Sequence, residues 1–394
     1  MLKSFFNPKT IALIGATDRK DSVGLSLAKN LSSKKVFYVN PNRKMVLGKP
    51  TYDVVPLGVD LAIIAVPSKF VISVAKQCVE RKVKNIIIIS SGFAEVGNVK
   101  LQEELKGVLL GNRFLGPNCM GIITSGMNAS FAKYNIKKGE VAFLSQSGAL
   151  INAVIKDYGF SHLVSLGNAA DLSIGDFLEY LDKDAKTKVI SLYLEGLKDG
   201  QRFIEAVRKI SKPVVVLKGG KTELGRKAVS SHTASLAGKK EIYSAAFEKA
   251  GAFEVNNLKD LMEISLLLTK YERCENSIGI ITNAGGLGVL AADWCSYYGV
   301  KVTLGPIDIG GDALPSDFKR EIEKVIKKVK GLIVLQTEQG MTDIEENIKV
   351  ISLLQKKYPK KPILFGSLDP RILSLSFQCL IRMVKWDIWK KVLH

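Results

Sequence analysis

Histidine and cysteine are scarce in this sequence, and each scarcity restricts its chemistry. Three histidines (His162, His232, His394) and five cysteines (Cys78, Cys119, Cys274, Cys295, Cys379) are spread over 394 residues. The cysteines are odd in number and form no C-x-x-C pair. That excludes a disulfide framework or zinc ribbon and points to a reducing, cytoplasmic compartment. Too few histidines are present to assemble a metal cluster. No apolar run approaches the roughly 18–20 residues that span a bilayer, and Asn7-Pro8 breaks the N-terminus before a signal-peptide core can form. Acidic residues are in deficit: 38 Asp+Glu against 57 Lys+Arg leave a formal charge of +19. The basic runs (Lys324, Lys327, Lys328, Lys330; Lys356, Lys357, Lys360, Lys361) carry no interleaved aromatics, so the surplus speaks for a small anionic ligand or a lysine-rich surface rather than nucleic acid.

What is present is a core. Hydrophobic residues make up 46%, which excludes disorder for most of the chain. One arrangement occurs at three places: a short apolar run, a small-residue loop, then a helical pattern. The openers are Thr10-Ile-Ala-Leu-Ile-Gly15, Val141-Ala-Phe-Leu144 with Ser145-Gln146-Ser147-Gly148, and Ser277-Ile-Gly-Ile-Ile281 with Thr282-Asn283-Ala284-Gly285-Gly286. Further apolar runs follow at 36–39, 61–66, 85–89, 189–194, 214–217, 331–335 and 362–365. Such runs read as buried parallel strands, and the helical stretches between them (68–81, 199–210) make the fold α/β. The expectation is three doubly wound parallel-sheet domains over 1–125, 126–272 and 273–394. Ligands of such sheets sit outside the carboxyl ends of strands, which directs attention to the three loops.

The first loop runs Gly15-Ala16-Thr17-Asp18 to Ser22 and opens a helix, a place suited to phosphate, but it lacks G-x-G-x-x-G. The second strand ends Asn40-Pro41-Asn42-Arg43-Lys44, with two cations where a dinucleotide site needs an acid for the ribose. That suits an adenosine ribose bearing an extra phosphate, as in coenzyme A or NADP; a basic surface turn is the plainer alternative. His232 lies in Ser230-Ser-His-Thr-Ala-Ser-Leu-Ala-Gly238, expected to be a mobile small-residue loop, with Lys218, Lys221, Arg226 and Lys227 upstream to suit phosphoryl oxygens. Glu195 ends the apolar run 189–194 and is either a carboxylate facing the crevice or a cap. A carboxylate there would orient an imidazole through its other nitrogen. The helix starts at Ser145, Gln146, Ser147, Gly148 and at Asn283, Ala284, Gly285, Gly286 offer backbone N–H groups to a phosphate, and two such termini are expected to converge on one dianion.

Competing motifs fail or are weak. Lys218-Gly-Gly-Lys221-Thr222 lacks the first glycine of a P-loop, since Val215 stands there. Leu144-Ser-Gln-Ser-Gly148 lacks the first glycine of a nucleophile elbow. Gly286-Leu-Gly288-Val-Leu-Ala291 fits G-x-G-x-x-A, and Asp308 lies about 20 residues on, which keeps an NADP-dependent oxidoreductase as a minor alternative.

The run 11–15, Val39-Asn-Pro41, Ala65-Val66-Pro67, Ser90-Ser91-Gly92-Phe93 and Gly116-Pro117-Asn118-Cys-Met-Gly121 together resemble the CoA-binding domain of succinyl-CoA synthetase-like proteins. The chain is similar to the α subunits of NDP-forming acyl-CoA synthetases, such as ADP-forming acetate–CoA ligase. The resemblance implies a Rossmann-like CoA-binding domain followed by two flavodoxin-like domains. It implies CoA held by Gly15, Ala16, Thr17, Ser22, Pro41, Lys44, Val66, Pro67 and Ser91, with Pro117 and Asn118 near its thiol. It also implies that His232 is phosphorylated, that Glu195 holds it, and that residues 145–148 and 283–286 flank it. Acyl-CoA, phosphate and ADP would become acid, CoA and ATP through acyl phosphate and phosphohistidine. No ATP-grasp region is read in the sequence, so ADP/ATP and Mg2+ are expected on a separate ATP-grasp β subunit in a hetero-oligomer such as α2β2. The resemblance weakens beyond about residue 300, where the third domain reads as shortened. A CoA- or acyl-CoA-binding regulatory or scaffold module without turnover is the alternative.

Overall fold

The computed structural model describes residues 2–233, 239–270, 275–297, 299–340 and 342–367, the side chains of 230–233 and 367 excepted. The chain divides into two compact units, Met1–Ser265 and Leu266–His394.

The first unit holds two seven-stranded sheets. The first sheet comprises β1 (Ile11–Ile14), β2 (Val36–Val39), β3 (Met45–Val46), β4 (Lys49–Tyr52), β5 (Leu61–Ile64), β6 (Asn85–Ile88) and β7 (Arg113–Leu115), in the order β3-β4-β2-β1-β5-β6-β7. β1 and β5 are buried at every residue, as strands covered by helices on both faces must be. The strand order reverses between β1 and β5, the position at which a doubly wound sheet opens a crevice.

The second sheet comprises β8 (Gly121–Thr124), β9 (Met127–Ser130), β10 (Lys137–Ser145), β11 (Gly159–Ser165), β12 (Val189–Leu194), β13 (Val214–Lys218) and β14 (Phe253–Val255), in the order β14-β13-β12-β10-β11-β8-β9. β10 to β14 are parallel, but β8 and β9 form a hairpin that adds antiparallel to β11. Two residues, Ser125-Gly126, join them, and so short a link permits only antiparallel pairing. Both sides of residue 125 therefore belong to the second sheet, whose chain begins at β8. The β3–β4 pair is likewise antiparallel, so neither sheet is purely parallel. His162 lies on β11, buried edge-on against Phe6 with ring centroids 4.9 Å apart.

The second unit carries β15 (Ile278–Thr282), β16 (Val302–Asp308), β17 (Gly331–Gln336) and β18 (Ile363–Ser367), all parallel, in the order β16-β15-β17-β18. The helices Pro315–Val325 and Ile344–Lys357 supply Phe318, Ile322, Ile351 and Leu354 to its core. Among the described residues no helix is long and apolar enough to cross a membrane.

Candidate functional site

The first crevice is built by short-range backbone geometry. Gly15 ends β1 with φ +91°, and a Cβ there would lie 2.3 Å from Ala65 O, so only glycine turns the chain this tightly over β5. The loop that follows is shaped by its own hydroxyls. Thr17 Oγ1 accepts from Arg19 N (3.1 Å), and Ser22 Oγ donates to Arg19 O (2.6 Å). Ser22 also caps the helix Val23–Asn30, accepting from Leu25 N at 3.2 Å. Asn40, beyond β2, donates to Ala16 O (2.8 Å) and so ties the Pro41 turn to the loop. The two cations after β2 differ: Arg43 pairs with Asp18 of the first loop, whereas Lys44 is exposed. Pro67 and Ser91 are exposed and Val66 half-buried at the ends of β5 and β6, beside the same crevice.

The turn Gly116-Pro117-Asn118 after β7 meets the loop after β11. Asn168 N donates to Pro117 O (2.9 Å), and Asn118 Nδ2 donates to Asn168 Oδ1 (3.3 Å). Asn168 Nδ2 in turn donates to Glu95 Oε2 (2.6 Å) and Gln102 Oε1 (3.0 Å) of the first domain. Burial alone would raise the Glu95 carboxyl, but the bonds from Asn168 and from Gly92 and Phe93 N–H hold it below the usual range. Cys119 is buried, which pushes its thiol up to about 12 and leaves it no thiolate character. Beside this seam lies a cleft of about 690 Å3, bordered by Gln102, Asn168, Ala170, Gly196, Lys198 and Phe203.

The second crevice lies at the carboxyl ends of β10, β12 and β13. Ser145 is fully buried, and its Oγ donates to Ser147 O (2.6 Å) and accepts from Ser147 N (3.1 Å), folding the chain into the helix Gly148–Val154. The Gln146 amide grips the next loop: Oε1 accepts from Glu195 N and from Gly196 N (3.0 Å), while Nε2 donates to Gly196 O (2.9 Å). Glu195, 7% exposed, is further held by Lys218 Nζ on its carbonyl oxygen (2.9 Å), and burial together with the Glu195 charge pushes the Tyr193 phenol up to about 12. Lys218 is buried, with Nζ 4.5 Å from the Tyr243 ring centroid; burial lowers its pKa, opposed by the Glu195 charge. Tyr243 Oη accepts from Leu197 N (3.1 Å), so the whole 195–197 loop is fixed.

The cations upstream of position 232 were expected to serve phosphoryl oxygens, but the protein engages them. Lys218 faces the Glu195 carbonyl, Lys221 pairs with Glu254 (2.9 Å), Arg226 reaches Lys221 O (3.5 Å), and Lys227 pairs with Glu223 (3.1 Å). Of these lysines, Lys221 is the one that meets an acid distant in sequence, and Lys227 pairs one turn away on its own helix. His232 was expected in a loop, yet its backbone belongs to the helix Glu223–Thr233. Thr222 starts that helix by accepting from Gly225 N (3.1 Å), and Glu223 favours its first turn. The His232 side chain and residues 234–238 lie outside the described residues. The helix packs against the short helical turn Ala94–Val96 of the first domain.

In the second unit the Asn283 loop repeats the Ser145 design. Thr282 Oγ1 donates to Ala284 O (3.1 Å) and accepts from Ala284 N (3.0 Å). Asn283 Oδ1 accepts from Thr337 N (2.7 Å), and its Nδ2 donates to Thr337 O (3.1 Å). The helix Gly285–Tyr297 then begins, with Gly286 open. In both loops the amide side chain is occupied by the neighbouring strand's exit, so an anion would meet the backbone N–H groups of the helix start. Asp308, the acid of the dinucleotide alternative, accepts from Gly310 N (3.0 Å). Sequence reasoning named Glu195 but missed Tyr193, Tyr243, Asn168 and the grip of Gln146. The hydroxyl–amide–small–glycine pattern shared by 145–148 and 282–285 is the signal that carried it.

Residues 9–125 match a family model described as a CoA binding domain, and residues 138–268 match one described as a succinyl-CoA ligase like flavodoxin domain. Acetate–CoA ligase (ADP-forming) I of Archaeoglobus fulgidus is 42% identical over 360 residues, 82% of this chain and 52% of that protein. The α subunit of acetate–CoA ligase (ADP-forming) II of Pyrococcus furiosus is 38% identical over 408 residues, 92% of this chain and 89% of that one. The solved acetyl-coenzyme A synthetase 1 of Ca. Korarchaeum cryptofilum, in complex with phosphate and ADP, aligns over 100% of this chain and 98% of its own with a TM-score of 0.87 at 30% identity. The chain spans about half the length of several curated relatives it matches.

Proposed function

Because the chain belongs to the ADP-forming acetate–CoA ligase family, we propose that it supplies the CoA-binding and phosphohistidine half of an enzyme making acid, CoA and ATP from acyl-CoA, phosphate and ADP. One observation carries the reading. A single compact unit holds the β1 crevice, Glu195 at the end of β12 with its backbone gripped by Gln146, and the helix bearing His232 packed on the first domain's Ala94–Val96 turn.

CoA lies along Gly15, Ala16, Thr17, Ser22, Pro41, Lys44, Val66, Pro67 and Ser91, with its thiol toward Pro117 and Asn118. Ser22 acts there by shaping the loop, since its hydroxyl is engaged. A phosphate oxygen attacks the thioester carbon, and the C–S bond breaks with its electron pair leaving on CoA sulfur. One nitrogen of His232 then attacks phosphorus of the acyl phosphate; the P–O bond to the acyl group breaks and the carboxylate departs with the pair. The other nitrogen keeps its proton, directed to Glu195, which stabilises the positive ring. Backbone N–H groups at Ser145–Gly148 host the phosphoryl oxygens, and the helix start at Asn283–Gly286 of the second unit offers backbone N–H groups of the same kind to a phosphate. The phosphoryl group finally passes to ADP with Mg2+ on an ATP-grasp partner, as in an α2β2 hetero-oligomer. A cytoplasmic location accords with the buried free thiols Cys78, Cys119 and Cys295.

The test is to incubate the chain with acetyl phosphate labelled at phosphorus. Acid-labile, base-stable label on wild type, absent from His232→Ala, is expected. Label that persists in His232→Ala removes His232 from the reaction, and CoA binding with no label on wild type makes the chain a CoA-binding module instead.

A further inference from the structure

We propose that Glu95 is a positioning residue for the sulfur end of CoA: through Asn168 it fixes which way round the Asn118 amide stands. The inference rests on the reading above that directs the thiol toward Pro117 and Asn118, and it adds what orients that turn.

An ionised carboxylate only accepts hydrogen bonds, whereas a side-chain amide has a donor end and an acceptor end. Glu95 therefore sets the sense of every amide bonded to it. Its Oε1 accepts from the Gly92 and Phe93 N–H groups, in the loop that carries Ser91. Its Oε2 accepts from Asn168 Nδ2 at 2.6 Å, and Gln102 Oε1 accepts from the same nitrogen at 3.0 Å. With its nitrogen given to two acceptors, Asn168 turns Oδ1 to Asn118, whose Nδ2 donates to it at 3.3 Å. The Asn118 amide thus stands with its nitrogen, not its oxygen, toward Asn168. Against the pull of burial, the bonds from Asn168, Gly92 and Phe93 hold the Glu95 carboxyl below its usual range, so the anchor stays charged.

The backbone leaves Asn118 little other freedom. Its φ is +58°, and its N–H donates to Ser90 O at 2.9 Å. The facing turn is pressed against it, since a Cβ on Gly167 would lie 2.4 Å from Pro117 O and 2.6 Å from Asn118 O. What remains to be chosen is the direction of the amide. That choice matters to a ligand: an amide oxygen accepts from a thiol, an amide N–H donates to a thioester carbonyl, and a turned amide offers each the wrong end.

The experiment is calorimetry on the full chain with two probes, CoA and its adenosine bisphosphate fragment, which lacks the pantetheine arm. Glu95→Gln keeps an oxygen for Gly92 and Phe93 but turns an NH2 group to Asn168. Asn168 then reverses, and Asn118 reverses with it. CoA should bind about tenfold more weakly, with the fragment unaffected. Adding Asn168→Asp to that variant restores an acceptor beside Asn118, while the new glutamine donates to the aspartate and Gln102, itself an amide, turns to do the same. The double variant should recover CoA affinity to within about twofold of the wild type. Wild-type CoA affinity in Glu95→Gln would overturn the proposal. Equal losses for both probes would make Glu95 a structural residue only, and a double variant no better than Glu95→Gln would show that the sense of the chain is not the cause. Equal affinity of the wild type for CoA and fragment would remove the arm from Asn118 and leave the CoA-binding domain in place, whereas a wild type that binds neither would remove the CoA reading itself.

Discussion

Gln146 holds Glu195 by its backbone: the amide oxygen accepts the Glu195 and Gly196 N–H groups together, and the amide nitrogen returns a bond to Gly196 O at 2.9 Å. Two loops 49 residues apart in sequence thereby move as one piece. A carboxylate meant to hold an imidazole needs a fixed mount, and a side-chain amide is the group that satisfies a donor, a donor and an acceptor at once.

Gln146→Leu keeps the volume and removes all three bonds. Each N–H left without a partner costs about 1–3 kcal/mol, so the 195–197 loop should loosen before the sheet does. Phosphoryl labelling from acetyl phosphate should fall at least tenfold, with CoA affinity unchanged. Hydrogen exchange at the Glu195 and Gly196 amides should rise by a similar factor. Unchanged exchange at those amides would sink the idea.

Asn168 joins the two domains of the first unit through Glu95, Gln102 and Asn118. Asn168→Ala strips the donor from the Glu95 carboxylate, a charged partner, and should destabilise the unit by about 1.5–3 kcal/mol. Asn168→Asp should be worse, because it sets a second carboxylate against Glu95. Urea unfolding of the three proteins checks the order; an Asp variant as stable as the wild type contradicts it.

Lys44 and Arg43 are the candidates for the extra phosphate that separates CoA from dephospho-CoA. Lys44→Ala should weaken CoA by about three- to tenfold and leave dephospho-CoA nearly unaffected, an effect that fades as salt is added. Arg43 is paired with Asp18, so Asp18→Asn should release its guanidinium and strengthen CoA at low salt. Calorimetry with both ligands decides the matter: equal affinity of wild type for the two would discard the phosphate reading of this turn.

How far the sequence can be read depends on whether an interaction is local. β1, β5, β6, β12 and β15 are apolar runs bounded by small or polar residues, and periodicity reveals them. β11 escapes, because Gly-Phe-Ser-His-Leu-Val-Ser sets polar residues among the apolar ones, and their partners, Thr187 for Ser161 and Asp184 beside His162, are supplied from elsewhere. The helix Glu223–Thr233 reads as a loop because Ser-Ser-His-Thr has weak helix propensity, yet the Thr222 cap and the residues before it carry the helix through. Glu195 is legible as the end of a buried strand. Its mount is not, since Gln146 and Lys218 reach it from two other strands. Lys221 likewise looks available in the sequence and is found on Glu254.

His162, within β11, gives a stability prediction with a definite sign. Its side chain is 6% exposed, with Nδ1 3.5 Å from Asp184 Oδ2 and 3.4 Å from Thr187 Oγ1. Burial, the largest influence, lowers its pKa from 6.5 to about 4; Asp184 opposes this, and Lys186 and Lys212 add to it. The folded state therefore takes up a proton less readily than the unfolded one. Its contribution is whole above the ordinary value of 6.5 and is lost as pH falls from there toward 4. The loss over that window should be about 1–3 kcal/mol. His162→Gln removes the titration, so its stability should fall less than that of the wild type over the same interval. Urea unfolding at both ends of the window measures the difference; parallel pH curves for the two proteins would show that burial leaves the His162 pKa at its unfolded value, and a wild type that loses less than His162→Gln would show that Asp184 holds the ring charged.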